Sequence, residues 1–331
     1  MDRQGMKKRA ILSDLLVCPL CQGKLKEGQE EYECLDCHKT YPIMNGIPRF
    51  LPGLSDKEQQ VKRSFNLEHL RYTDSRHLHF TPRLVQQWLD EIQLPSEYFK
   101  GKLVLDAGCG SGRWTYAMSA LGARVVAVDL TEAGAEITHR ATALMDNVVV
   151  LQGSIFQLPF RPGSFDLVVS WGVLHHTPDT KKAFARIAPL VKPGGQLYVM
   201  VYEKQNIIKA CCTGLIRLLL QRFPEEQRYR LCRHLIIRNH RLTWALKHLV
   251  IFSNYPPGAD ALEVSTIQLG LYDAYSPRYN HLHTRQEVFA WFSEQRFDQV
   301  TLTQPIRYTD WLKVRLAGEC GGSIRVRGRR V

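Results

Sequence analysis

Between residues 103 and 202 the chain alternates short apolar runs with helix-like segments, and this alternation constrains the fold more than any other feature. The runs are LVLDAG, RVVAVDL, NVVVLQG, FDLVVSW and GQLYVMVY, and stretches such as WTYAMSALG and TKKAFARIAPLV separate them. Strands rich in valine and leucine, joined through helices, predict a parallel sheet covered on both faces. Ligands of such sheets bind beyond the carboxyl ends of the strands, near the point where the strand order reverses.

The first run ends in Asp106, and Gly108, Gly110 and Gly112 follow at every second position. Glycines there allow a tight turn and a close approach of ligand to backbone. Asp129 ends the second run, roughly twenty residues on, where a carboxylate can accept ribose hydroxyls. A nicotinamide cofactor would satisfy both facts. Dinucleotide loops, however, space their glycines G-x-G-x-x-G. The tighter pattern here suits a small zwitterion better than a pyrophosphate.

A second signal lies near the front. Cys18-x2-Cys21 and Cys34-x2-Cys37 form two knuckles joined by a short hairpin-like stretch, with Gly23 at an expected turn. Two such knuckles make a tetrahedral sulfur site suited to zinc. So short a segment buries little core, so the metal would supply its folding energy. Disulfides, or a ribbon without metal, are the alternatives. His38 adjoins Cys37, but the spacing favours the cysteine. The chain has nine cysteines and shows no export-type leader, which fits a reducing, cytoplasmic setting.

The formal charge is +12. Lys204, Lys209, Arg217, Arg222, Arg228, Arg230, Arg233, Arg238, Arg241 and Lys247 face only Glu203, Glu225, Glu226 and Asp260 between residues 201 and 260. RNA, an anionic membrane surface or an acidic small molecule would each suit that excess, and a solvated helical face ranks first. No apolar run is long enough to span a bilayer. Residues 204–250 read as helical, with Ile208, Cys212, Leu215, Leu219 and Phe223 on one stripe. The segments 297–304 and 323–329 read as the final two strands, paired antiparallel at one side of the sheet. Thr284 is the expected cap of the helix before them, with Glu287 completing a capping box.

The segments LLVCPLCQGKL and YPIMNGIPRFL resemble the small zinc-ribbon methyltransferase-activator protein and the ribbons fused to some bacterial methyltransferases. That resemblance implies a structural zinc, since four cysteines leave no open position. From about residue 100 to 202, VLDAGCGSGRWTYAMSALGARVVAVDLT, VVVLQGSIFQLPFRPGSFDLVVSWGVLHHTPD and LVKPGGQLYVMVY resemble the successive motifs of class I S-adenosylmethionine (SAM) dependent methyltransferases.

The second resemblance implies a Rossmann-like seven-stranded α/β sheet with its last strand antiparallel. It would carry a zinc ribbon at residues 1–54, a helical linker and cap at 55–99, and a methyltransferase domain at 100–331 with a helical lid insertion at about 204–270. It assigns Gly108, Gly110 and Gly112 to the methionine part of SAM, with Asp106 ordering their loop. Asp129 would take the ribose hydroxyls and Leu130 would lie against the adenine. Ser154 and Ile155 would border the adenine edge, and Trp171 would stand beside the sulfonium. Many members of that family carry an aspartate where Ser154 stands; a serine hydroxyl can still accept a hydrogen bond.

Methyl transfer needs orientation and exclusion of water more than a fixed catalytic group. The loop SWGVLHH contains no Asn-Pro-Pro-Tyr-like stretch for base amino groups and no magnesium-chelating carboxylates, and the chain has no Pro-Cys pair. His176 is a candidate base, whereas His175 is expected to pack beneath the loop. The segment Tyr275 to His283 concentrates aromatic and titratable groups, so Tyr279 and His281 are the leading acceptor contacts, with His281 as a second candidate base. VKRSFNLEHLRY, upstream, is expected with that segment to fold over the sheet's carboxyl edge. The expected activity is methyl transfer to oxygen, nitrogen or carbon of a small-molecule intermediate. An rRNA or tRNA base methyltransferase and a non-catalytic SAM-binding scaffold are the rivals.

Overall fold

A computed structural model describes residues 11–12, 15–74, 80–204, 207–237, 253–254, 260–303 and 322–331. Its centre is the expected parallel sheet, formed by β5 (Leu103–Ala107), β6 (Arg124–Asp129), β7 (Val148–Gly153), β8 (Phe165–Trp171) and β9 (Val191–Tyr202). They lie in the order β7-β6-β5-β8-β9, all parallel. The order reverses between β5 and β8, which puts the binding crevice at Asp106 and Trp171. The buried faces of β5 to β7 carry Leu105, Val126 and Leu151 on one side and Val104, Val125 and Val150 on the other. Both faces are apolar, as a strand buried between helices requires.

The helices Arg113–Ala120 (here α3) and Glu132–Ala141 (α4) follow β5 and β6, and Thr180–Ile187 (α5) follows β8. Thr131 and Asp179 cap the last two through their side chains. Two helices precede the sheet, Asp56–Leu70 (α1) and Pro82–Ile92 (α2). The first starts in a capping box between Ser55 and Glu58.

The last strand, β13 (Ser323–Arg330), runs antiparallel to β9, and β12 (Phe297–Leu302) pairs antiparallel with β13 at the sheet edge. The strand β13 therefore lies inside the sheet, between the earlier strands β9 and β12. Residue 304, expected in the first of these strands, lies outside the described residues. The helix before them, Arg285–Glu294, carries the expected Thr284 and Glu287 capping box.

At the other edge the cysteine ribbon continues the same sheet. Its strands β1 (Leu25–Glu27), β2 (Glu31–Cys34), β3 (Thr40–Met44) and β4 (Ile47–Phe50) pair antiparallel in sequence, and β4 adds in parallel to β7. Phe50, fully buried, packs against Tyr32 and Tyr41 of the ribbon. Arg49 donates to Gln152 at 3.2 Å and to Glu136 at 3.1 Å, tying the junction to β7 and α4. Nothing in the sequence pattern foretold this pairing, because it joins residues about a hundred positions apart.

The segment after β9 forms α6 (Ile207–Leu220) and α7 (Glu225–Cys232); a two-residue pair, β10 (Ile236–Ile237) and β11 (Ser253–Asn254), precedes α8 (Ala261–Tyr275). The helix Arg285–Glu294 is then α9. The predicted apolar stripe of α6 is not the packed one. Ile216 and Leu220 meet the core formed with α7 and α8, while Leu215, Leu219 and Phe223 are exposed; the side chain of Ile208 lies outside the described residues. Two arginines of the basic stretch turn inward: Arg217 donates to the carbonyls of Ala274 and Pro277, and Arg228 to that of Ser276. They satisfy backbone oxygens that the end of α8 leaves open. Arg238, Arg241 and Lys247 lie outside the described residues. No helix among the described residues is long and apolar enough to cross a membrane.

Candidate functional site

A cavity of about 380 Å³ opens at the carboxyl ends of β5, β6, β7 and β8. Its floor is the glycine loop. Gly108 has φ +93°, and a Cβ there would stand 2.4 Å from the Val173 side chain, so the turn excludes any larger residue. Asp106 lies beneath the loop and accepts from Thr115 Oγ1 at 2.6 Å. Burial pushes its carboxyl up to about 7, against the lowering effect of the Thr115 bond.

Asp129 is more heavily engaged than expected. Its Oδ2 accepts the Gly110 N–H at 2.9 Å, and its Oδ1 accepts the Thr131 N–H at 2.8 Å and the Thr131 hydroxyl at 2.7 Å. A carboxylate has about four acceptor positions. Room remains for about one further donor. The same hydroxyl accepts from Gly134 N and meets His69 Nδ1 at 2.8 Å. Its own proton is committed to Asp129, so His69 carries its proton on Nδ1. Gly134 makes this possible: a Cβ there would come within 2.7 Å of both the Asp129 carboxylate and the His69 ring.

Helix α1 forms the roof with Glu58, Val61, Phe65, Glu68 and His69. The upstream segment thus folds over the sheet's carboxyl edge as expected. Leu130, Ser154, Ile155 and Trp171 all line the cavity. Ser154 is partly engaged: its hydroxyl donates to Glu58 Oε1 at 2.6 Å and its oxygen accepts from Phe156 N at 3.2 Å, which leaves it one lone pair. Trp171 Nε1 donates to Glu91 at 2.6 Å, which aims its polar edge towards α2. The Arg113 guanidinium lies 4.0 Å from the Trp114 ring centre, and its buried Nε has no hydrogen-bond partner among the described residues.

The remaining wall combines the loop after β8 with α8. His176 Nδ1 donates to the carbonyl of Tyr279 at 3.0 Å, and its Nε2 lies 3.3 Å from Asp273 Oδ1. Tyr202 donates to Asp273 Oδ2 at 2.5 Å. Burial opposes the Asp273 carboxylate, but His176 and Tyr202 more than offset it and hold the group below its usual range. His175 packs beneath the loop, fully buried against Tyr202, and burial drives it well below the usual histidine range.

Tyr279 and His281 are not among the residues that line the cavity. Tyr279 reaches it only through the backbone carbonyl that holds His176, and its ring stacks on His281. The His281 backbone N–H instead donates to the carbonyl of His175, which pins the segment behind the loop. The sequence reading missed Glu58, Glu68, Tyr72, Arg113, Tyr202 and Asp273. Asp273 belongs to the polar stretch YDAYSPRYNHLHT but stands two residues before its Tyr275 to His283 part, where the acceptor contacts were expected, and is still helical. That placement turns it inward, and the density of polar residues beyond it drew attention too far along the chain.

In the ribbon, the ligating atoms of Cys18, Cys21, Cys34 and Cys37 all lie within 4.8 Å of one another. Cys18 Sγ to Cys37 Sγ is 3.7 Å, and Cys21 Sγ to Cys34 Sγ is 3.4 Å. A tetrahedron with metal–sulfur bonds of about 2.3 Å has edges of about 3.8 Å, so the donor set fits zinc; a disulfide would need about 2 Å. Tyr41 donates to Cys18 Sγ at 3.1 Å. The residue after each knuckle, Gln22 or His38, takes the left-handed turn at φ +62° or +55°. Gly23, expected as the turn residue, instead leaves space for the Asp36 side chain.

Residues 105–199 match a family model described as a methyltransferase domain. A demethylmenaquinone methyltransferase of Staphylococcus aureus (strain MRSA252) is 34% identical over 113 residues, covering 33% of this chain and 47% of that protein. The match thus spans about half the length of that curated relative. Among solved structures, magnesium protoporphyrin IX methyltransferase of Synechocystis PCC 6803 with bound SAH is 15% identical, covering 83% of this chain and 100% of that one, with a TM-score of 0.47. The 1,6-didemethyltoxoflavin-N1-methyltransferase of Burkholderia thailandensis is 16% identical, covering 91% and 99%, with a TM-score of 0.46.

Proposed function

We propose that this chain, whose residues 105–199 match a family model described as a methyltransferase domain, moves a methyl group from SAM to a small-molecule acceptor. One observation carries the reading. A single cavity joins the glycine loop and Asp129 to a second polar wall made of His176, Tyr202 and Asp273. Cofactor and acceptor would share an enclosure that α1 and α8 shield from water.

SAM, when bound, supplies a methyl group already activated by a positive sulfur. The chain's own residues do the rest. Gly108 and Gly110 leave the backbone open to the methionine part, and Asp106 holds their loop from below; Gly112, expected with them, does not line the cavity and instead leaves room for Thr138 of α4. Arg113 offers its unpartnered Nε to the methionine carboxylate. Asp129 has one acceptor position left for a ribose hydroxyl, while Leu130, Ile155 and Val61 face the adenine. Trp171 walls the methionine end. His176, held by the Tyr279 carbonyl and Asp273, is placed to hold or move a proton of the acceptor. Tyr279 acts through its carbonyl, and His281 supports the loop from behind. The four cysteines hold a structural zinc that closes the ribbon.

A structured RNA is a poorer fit. Among the described residues the cavity wall has no lysine, and Arg217 and Arg228 are spent on backbone carbonyls. The test is calorimetric titration with S-adenosylhomocysteine. The wild-type protein should bind it, and Asp129→Asn should lose at least about tenfold in affinity, or about 1.4 kcal/mol. Absence of binding to the wild type overturns the reading.

A further inference from the structure

Beyond the residues assigned to the cofactor, the cavity is completed by Phe65, Glu68, Tyr72, His176, Tyr202 and Asp273. Two carboxylates stand in this part of the wall. The one arginine of the wall among the described residues, Arg113, is stacked against Trp114 and Trp171 instead.

The two carboxylates differ in how they are satisfied. Asp273 is engaged at both oxygens, one by the Tyr202 hydroxyl and the other by His176 Nε2 at ion-pair distance, 3.3 Å, outside hydrogen-bond geometry. Glu68 has a partner on one only: its Oε1 accepts from the Tyr72 hydroxyl at 3.2 Å. Its Oε2 is buried and has no hydrogen-bond partner among the described residues, although the residue is only 7% exposed and lines the cavity. Burial, with the Asp273 carboxylate nearby, pushes the Glu68 carboxyl well above its usual range. A buried carboxylate oxygen without a donor is costly, and a bound cation or N–H donor removes that cost. A carboxylate or phosphate ligand would instead meet the ionised Asp273, with no free cation beside it among the described residues.

We propose that Glu68 and Asp273 form an acceptor subsite selective for a small-molecule amine, whose N–H is taken by Glu68 Oε2. The assignment rests on the methyltransferase reading. Phe65 and Leu269 give the amine an apolar wall to lie on, and Tyr72 fixes the Glu68 side chain through its other oxygen.

The experiment uses the full-length protein, methyl-labelled SAM and a metabolite extract split by ion exchange at neutral pH into cationic, neutral and anionic pools. Label should enter the cationic pool at least tenfold over either other pool. Label chiefly in the anionic or neutral pool, or only in RNA or protein, overturns the subsite. With the cationic pool, Glu68→Gln should raise the half-saturating concentration at least tenfold. That variant keeps the Tyr72 bond and the side-chain volume, so its affinity for S-adenosylhomocysteine and its melting temperature should stay near wild type. An unchanged half-saturating concentration overturns the role of Glu68. The pool measurement on the wild type stands by itself should the variant fail to fold. Failure of the wild type to bind S-adenosylhomocysteine removes the methyltransferase reading and the subsite with it; binding combined with label in the wrong pool removes the subsite alone.

Discussion

The cysteine ribbon and the cavity are built in opposite ways. In the ribbon, four like side chains from two knuckles converge within twenty residues, and the local spacing determines which atoms meet. In the cavity, the wall runs from Glu58 to Asp273 and unlike groups meet only because the sheet order brings them together. On the zinc proposal, the ribbon would depend on one ligand set, whereas the cavity rests on a large apolar core. Yet β4 pairs with β7, and Phe50 packs with both units. The two modes of construction share a seam beside the loop that carries Ser154.

The strongest way to break this contrast is to remove the metal. Structural zinc sites of this type contribute on the order of 10 kcal/mol to the folding of their own segment. Metal analysis should find about one zinc per chain, and chelation or Cys34→Ser should abolish amide protection across residues 25–50. The sheet from β5 to β9 should keep its protection. A ribbon that stays protected without metal would show that core packing, not the sulfur site, holds it.

The seam is tested next. Phe50→Ala removes a fully buried ring between Tyr32, Tyr41 and the main core. Denaturant unfolding should show a loss of about 3–5 kcal/mol. If ribbon and sheet were merely tethered, the loss would be confined to the ribbon and the unfolding of β7 would not change.

The same contrast explains what could be read from the sequence. The two CxxC pairs and the glycine loop are local, so the convergence of Cys18, Cys21, Cys34 and Cys37 and the place of Gly108, Gly110 and Asp129 at the cavity were legible from spacing and strand order, whereas Gly112 faces Thr138 rather than the cavity. The strands were legible because burial on both faces leaves long apolar runs. The β4–β7 pairing was not legible, since a four-residue parallel contact leaves no periodic trace. Nor was the packed face of α6. Its apolar residues outnumber one stripe, so periodicity alone could not say which side meets α8. Tyr279 and His281 were misplaced because composition locates a polar segment but not the direction of its side chains. Glu68 was missed for a related reason: one carboxylate among the many charges of α1 has no sequence signature until the helix is laid on the cavity.

Asp106 sharpens the cavity side of the comparison. Burial raises its folded-state value to about 7, above the 3.8 of a free carboxyl, so the folded protein binds the extra proton. Its contribution to stability is whole below about pH 4 and is lost as pH rises through about 7. The span corresponds to at most about 4 kcal/mol. The melting temperature of the wild type should therefore fall between about pH 5 and pH 8 more than that of Asp106→Asn, which carries no proton to lose. Parallel curves for the two proteins would mean that Asp106 is ionised in the folded state across that range.

The smallest effect lies at the seam itself. Glu58 belongs to α1, yet its Oε1 accepts the Ser154 hydroxyl at 2.6 Å at the edge assigned to adenine. Its Oε2 is occupied by the Ser55 backbone N–H at 3.0 Å and hydroxyl at 2.7 Å, which fix the side chain in place. Oε1 keeps a lone pair, and a carboxylate only accepts. Ser154 keeps one lone pair after donating to Glu58 and accepting from Phe156 N, but its neutral hydroxyl oxygen is a weaker acceptor than a carboxylate. The group at this edge best suited to take an adenine amino N–H is therefore Glu58, supplied by the helical cap rather than by the sheet. Glu58→Ala should weaken S-adenosylhomocysteine binding by about tenfold, or about 1.4 kcal/mol. It should leave binding of S-inosylhomocysteine, which lacks that amino group, nearly unchanged. The loss of the capping box would lower stability and affect both ligands alike, so the difference between them isolates the amino contact. Equal losses for the two ligands would return Glu58 to a purely structural role and leave the adenine edge to the sheet.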